Sequence, residues 1–92
     1  MSLPDILALK GLHPFYLAAL AERFKVHVDP QASDPAGFAA LAPRIVGLAA
    51  SGESKVPASL LAQLPALQVV SVFGVGYDGV DIAAARTRRI AV

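Results

Sequence analysis

The chain has 92 residues, 55% of them apolar and 16% charged, and a formal net charge of +1. A chain this short builds one small core, burying roughly 60–65% of its unfolded surface, so a two-domain enzyme does not fit within it. The small net charge gives no field to attract nucleic acid, no apolar run approaches the ~20 residues of a membrane span, and the absence of cysteine excludes disulfides and cysteine metal sites.

Pro4 to Leu9 is a short apolar run closed by Lys10-Gly11, which predicts a first buried strand and a turn. Pro14 suits a first helical position, and Phe15, Leu17, Ala18, Leu20, Ala21 and Phe24 recur at three and four, the spacing of an amphipathic helix. Val26-His27-Val28 reads as a short second strand ended by Asp29-Pro30. Asp34-Pro35 marks a helix start, since aspartate accepts from the orphan N–H groups, and the helix is expected to reach about Ala42.

Ile45 to Ala50 predicts a third buried strand, broken by Ser51-Gly52-Glu53-Ser54-Lys55. Pro57 to Leu64 predicts a third helix with Leu60, Leu61 and Leu64 on one face, and Pro65 stops it. Val69 to Phe73 is an unbroken run leading into Gly74-Val75-Gly76, which reads as a fourth strand buried on both faces. Asp81 is placed to cap a fourth helix, Ile82 to about Arg88, and Ile90-Ala91-Val92 begins a fifth strand. Alternation at this interval predicts βαβ units and a parallel sheet with right-handed crossovers. An apolar strand at the very end leads us to expect the first part of a longer protein, or the only ordered part of one.

In open parallel sheets ligands collect beyond the carboxyl ends of the strands, where a glycine turn lets backbone N–H groups approach an anion. That makes the turn after Phe73 the candidate site. Gly74-Val75-Gly76-Tyr77-Asp78-Gly79 also matches G-x-G-x-x-G, yet it follows the fourth strand, whereas the dinucleotide fingerprint follows the first and wants an acidic residue about 20 positions on. A nucleotide turn and a purely structural turn remain alternatives. Tyr77 is a candidate pocket wall and Asp78 a turn acceptor. His13 and His27 each stand alone, with no carboxylate or second histidine at ligand spacing, and are expected at the surface or a strand edge. Arg86, Arg88 and Arg89 fall where a helix ends and are expected to complement its dipole from the surface.

The segment LPALQVVSVFGVGYDGVDIAAARTRRIAV, with its G-V-G-Y-D turn and D-x-A-A-A-R helix, resembles the D-isomer-specific 2-hydroxyacid dehydrogenases, in particular the glyoxylate/hydroxypyruvate reductase branch. PDILAL, HPFYLAALAERFKVH and the ASG after the third strand are similar to the same family's N-terminal domain. The resemblance implies that residues 1–92 form an incomplete substrate-binding domain, an α/β flavodoxin-like parallel sheet of strand order 2-1-3-4-5. It implies a Rossmann domain outside these residues that binds NAD or NADP, a homodimeric complete enzyme, and no cofactor or metal on this fragment. The implied reaction is reversible reduction of a 2-oxo acid to the (R)-2-hydroxy acid. Backbone N–H groups of Val75 and Gly76 would bind the substrate carboxylate, with the loop of Ser51, Gly52 and Glu53 closing the other side.

The family's arginine, glutamate and acid/base histidine would all lie beyond Val92, so no catalytic residue is expected here and the fragment alone is expected to be inactive. Two residues depart from the family pattern. Glu53 brings negative charge to a loop that should meet an anion, with Lys55 nearby in sequence. Arg89 stands where glycine is usual, and a positive φ there would cost roughly 1 kcal/mol. The competing class is a stand-alone flavodoxin-like binding or assembly module without catalysis. A phosphoacceptor receiver of that fold would need carboxylates at strand ends that instead read Leu9-Lys10-Gly11 and Ala50-Ser51-Gly52. With no basic n-region leading an apolar h-region, the cytoplasm is the expected compartment, with no membrane partner.

Overall fold

The computed structural model describes residues 3–9, 11–51, 55–73 and 79–92. Strands β1 (Asp5–Ala8), β2 (Lys25–Val28), β3 (Ile45–Ser51) and β4 (Val69–Phe73) form one parallel sheet in the order β2-β1-β3-β4. Helices α1 (Pro14–Ala21), α2 (Pro30–Ser33), α3 (Pro35–Leu41), α4 (Ala58–Ala62) and α5 (Ile82–Thr87) fill the connections, and a 3₁₀ turn, Ala42–Arg44, leads into β3. No helix among the described residues is long and apolar enough to cross a membrane.

Where a fifth strand was expected, the chain makes a single parallel bridge, Val69 to Ala91, beyond β4. The Val70 N–H donates to the Ala91 carbonyl at 2.7 Å and the Ala91 N–H to the Gln68 carbonyl at 3.0 Å. The expected helix at Asp34 begins as predicted, its carboxylate accepting the Gly37 N–H at 3.1 Å. A Cβ on Gly37 would collide with that carboxylate, so glycine here serves the cap. Unpredicted is the single turn α2, where Asp29 takes a left-handed φ of 51° and Pro30 supplies the first helical residue. Arg89 has a φ of 60°, the conformation that favours glycine.

Side chains alternate between the two sheet faces with period two. Leu7, Leu48, Ala50 and Val70 face a core closed by Phe38 of α3, Leu61 of α4 and Ala85 of α5, with Leu64, Val80 and Ile90 from the connections. On the other face Ala8 and Ala49 meet Leu12 and the half-buried Leu17 and Leu20 of α1. That face corrects two expectations. α1 buries no residue fully, and Phe15 is 70% exposed, because apolar side chains occupy most of the helix circumference and only one side meets the sheet. β4 is buried on one face only: Val70 is 1% exposed, whereas Val69 is 42% exposed and Ser71 is open to solvent. The eight residues of α1 lie beside β2 and reach β4 on that side at Phe73, under the Tyr16 ring, leaving Val69 and Ser71 open.

The basic cluster is also more integrated than surface placement implies. The Arg88 guanidinium donates to the Leu61 carbonyl and, at 2.7 Å, to the Leu64 carbonyl. Both carbonyls, at and just past the end of α4, also accept a backbone N–H, from Leu64 and Leu67 respectively, so Arg88 is a second donor that ties α5 to the carboxyl end of its neighbour.

Candidate functional site

Parallel strands in register bring their carboxyl ends level. Ser51, the last residue of β3, pairs with Phe73, the last of β4. The two loops expected to bind substrate spring from these adjacent ends, and they also return side by side. Val56 and Val80 form a parallel bridge in which the Val56 N–H donates to the Gly79 carbonyl at 2.6 Å and the Asp81 N–H to the Val56 carbonyl at 2.9 Å. Gly52, Glu53, Val75 and Gly76, with Tyr77 and Asp78, lie outside the described residues. The structure therefore fixes where both loops start and finish, at the edge a ligand of a parallel sheet occupies.

Of the predicted site residues, Ser51 is described. It is half-buried, and Gly11, with a φ of 98°, faces it from the turn after β1: a Cβ there would lie 3.7 Å from the Ser51 Oγ. Three strand ends thus meet around one spot. α1 starts at the same edge, with His13 capping it by accepting the Phe15 N–H through Nδ1 at 3.0 Å. The Tyr16 ring lies on Phe73, centroids 4.7 Å apart. Sequence reading missed this aromatic contact because Tyr16 and Phe73 are far apart in the chain; the visible signal was tyrosine one turn after a strand end.

The alternative dinucleotide reading of residues 74–79 fits poorly with the helix after the turn. In that fingerprint the pyrophosphate sits on the helix N-terminus. Here the Asp81 carboxylate accepts the Ala84 N–H at 2.9 Å, placing a negative charge where a phosphate would bind, on a helix of only six residues.

At the opposite edge, His27 does have a carboxylate partner, contrary to the sequence expectation. Its Nε2 lies 2.9 Å from Asp5 Oδ1, and Arg44 reaches Asp5 Oδ2 at 3.4 Å. Asp5 pairs in register with Lys25, two residues before His27, so the contact is a diagonal across β1 and β2 that no local spacing reveals. The His27 hydrogen bond, aided by the positive charge of Arg44, holds the Asp5 carboxyl below its ordinary value of 3.8 despite burial, which acts the other way. This cluster braces the amino ends of the strands, away from the loops.

A concavity of about 700 Å³ lies between α3 and α4. Pro35, Phe38, Pro43, Leu60 and Pro65 dominate its wall, and no charged side chain lines it. Its polar members are the neutral Gln31, Ser59 and Gln63. Among the described residues no group of three or more His, Asp or Glu is placed to hold a metal ion.

Comparison with known proteins gives a consistent result. The sequence profile of the D-isomer specific 2-hydroxyacid dehydrogenase catalytic domain matches residues 6–92. A 2-ketogluconate reductase of Gluconobacter oxydans is 38% identical over 91 residues, which cover 99% of this chain and 28% of that protein. The crystal structure of a 2-hydroxyacid dehydrogenase from Ketogulonicigenium vulgare is similar with a TM-score of 0.85 and 40% identity, over 98% of this chain and 29% of that one. An NADPH-dependent glyoxylate/hydroxypyruvate reductase from Sinorhizobium meliloti, in complex with NADP and malonate, has a TM-score of 0.80 and 35% identity over 97% of this chain and 27% of its own. The chain spans less than a third of the length of each of these relatives.

Proposed function

This chain belongs to the D-isomer specific 2-hydroxyacid dehydrogenase family, and on that premise we propose that it is the substrate-binding part of an oxidoreductase that interconverts 2-oxo acids of the glyoxylate/hydroxypyruvate type and (R)-2-hydroxy acids. The observation that carries the proposal is the convergence at one sheet edge: the loops after β3 and β4 leave from paired residues Ser51 and Phe73 and rejoin at Val56 and Val80. Main-chain N–H groups of Val75 and Gly76 then serve the substrate carboxylate, because charge-assisted hydrogen bonds are the stronger kind and glycine leaves room for the ligand. Ser51, Gly52 and Glu53 close the facing side. The malonate in the Sinorhizobium relative is a small acid of the matching class.

NAD or NADP supplies the hydride that reaches C2 of the oxo acid, and it is held by a Rossmann domain outside these 92 residues. In the complete protein the sheet order extends to 2-1-3-4-5, with the Ala91 bridge as the start of the fifth strand. What this chain contributes is carboxylate binding and orientation. It supplies neither the hydride carrier nor the acid/base group, so alone it turns over no substrate.

Titration of the isotopically labelled chain with glyoxylate tests the reading by nuclear magnetic resonance. The Val75 and Gly76 amides are expected to move together and saturate; no movement at either refutes the carboxylate site. Reduction of glyoxylate by the isolated chain with NADPH would refute the division of labour.

A further inference from the structure

The first turn of α1 is closed by an acceptor that a proton can abolish. Pro14 has no N–H, and the N–H groups of Tyr16 and Leu17 donate to the His13 carbonyl at 2.9 and 3.2 Å. The Phe15 N–H is then the first-turn donor served by a side chain, Nδ1 of His13 at 3.0 Å. Only a neutral imidazole protonated at Nε2 presents a lone pair there. A second proton would go to Nδ1. Two donors would then face each other, and a positive charge would stand at the positive end of the helix. His13 is exposed, so solvent can deliver that proton.

What the cap holds in place is a contact between elements. Tyr16, in the same turn, lies on Phe73 at the end of β4, centroids 4.7 Å apart, and His13 meets the Tyr16 ring edge-on at 6.2 Å. Among the described residues no ion pair reaches His13. β2, which packs along α1, carries Lys25 and His27, the latter turned to Asp5, and is followed by Asp29, whose Oδ1 accepts from Gln31 Nε2 at 2.9 Å. β3 and β4 end on Ser51 and Phe73, while Lys10, Glu53 and Asp78 of the loops at this edge lie outside the described residues.

We infer that His13 is an acid-sensitive latch: protonation of its ring releases the Phe15 N–H, frays the first turn of α1 and separates Tyr16 from Phe73 at the carboxyl edge of the sheet. An imidazole changes charge between about pH 5 and 8, above the range in which Asp5 titrates. The latch is independent of where substrate binds.

Nuclear magnetic resonance of the isotopically labelled chain from about pH 8 to about pH 5 tests this. The comparison is His13→Asn, which keeps a capping side chain that does not titrate. In the parent, the Phe15 amide is expected to shift with the same midpoint as the His13 ring nitrogens, and the nuclear Overhauser contacts between the Tyr16 and Phe73 rings to weaken in acid. In His13→Asn both stay constant. Urea unfolding should show the parent's folding constant falling about 2–30-fold more than the variant's over that range, the loss of one helix cap. His27 is common to both proteins, so its contribution cancels. A Phe15 amide that ignores the ring titration, a Tyr16–Phe73 contact that persists unchanged in acid, or an equal pH dependence in His13→Asn overturns the latch.

Discussion

The two faces of the sheet are covered with unequal means. One is closed by α3, α4 and α5 over a core in which Leu7, Ile45, Leu61 and Leu64 are at most 1% exposed. The other carries α1 alone, and its buried members are Ala8, Leu12 and Ala49. Yet α1 reads PFYLAALA, as apolar as any helix in the chain. Apolar composition therefore does not decide burial; an opposing surface does. On this face Gly47 pairs with Ile6, whose Cγ2 would lie 3.1 Å from a Cβ at Gly47, and a shallow apolar groove floored by Gly47, Val69 and Ser71 remains beside α1.

Cavity mutants should expose the difference most strongly. Leu61→Ala is expected to cost about 2–5 kcal/mol, because a fully buried leucine leaves a void that rigid neighbours cannot fill. Leu20→Ala, at a half-buried position of α1, should cost about 1 kcal/mol or less. Urea unfolding of both variants checks this, and equal losses would erase the distinction between the faces.

Acid should sharpen the contrast at the rim of the three-helix face, which Asp5 shares with Leu7. A carboxyl whose folded pKa is depressed stabilises the fold fully above its unfolded value and loses that contribution as pH falls through the folded one. For Asp5 the loss is thus expected as pH drops below 3.8. Asp5→Asn should lower stability at neutral pH by about 1–2 kcal/mol, most of it through the His27 contact, and flatten the acid limb. Arg44, with a side chain 60% exposed, adds little. Unfolding midpoints across that pH range that run parallel in both proteins would remove Asp5 from the account.

The smallest effect concerns the link that feeds Ile90 into the three-helix core. Arg89→Gly should raise stability by about 0.5–1 kcal/mol, relief of the left-handed φ of 60° exceeding the extra freedom of glycine in the unfolded chain. Thermal unfolding that shows no gain would mean Arg89 makes a compensating contact.

Local chemistry was legible because it acts over a few residues. Asp34-Pro35 and Asp81 announce helix starts that the structure realises with carboxylate caps, and the Val69–Phe73 run coincides with β4. The glycine turn after Phe73, read with D-x-A-A-A-R, pointed to the family that residues 6–92 match. Asp29-Pro30 was read only as a strand end, since the left-handed residue that allows α2 leaves little trace in composition.

By itself, then, the sequence determined the order and type of the elements apart from the single turn α2, the aspartate caps of α3 and α5, the parallel sheet and the family, all of which arise from short-range periodicity, capping and turn chemistry. Tertiary structure alone decided which sheet face stays open, that His27 meets Asp5, that Arg88 caps α4 and that Tyr16 lies on Phe73. Those contacts join residues far apart in the chain, and their pairing is set by strand register and helix placement, which no local pattern encodes.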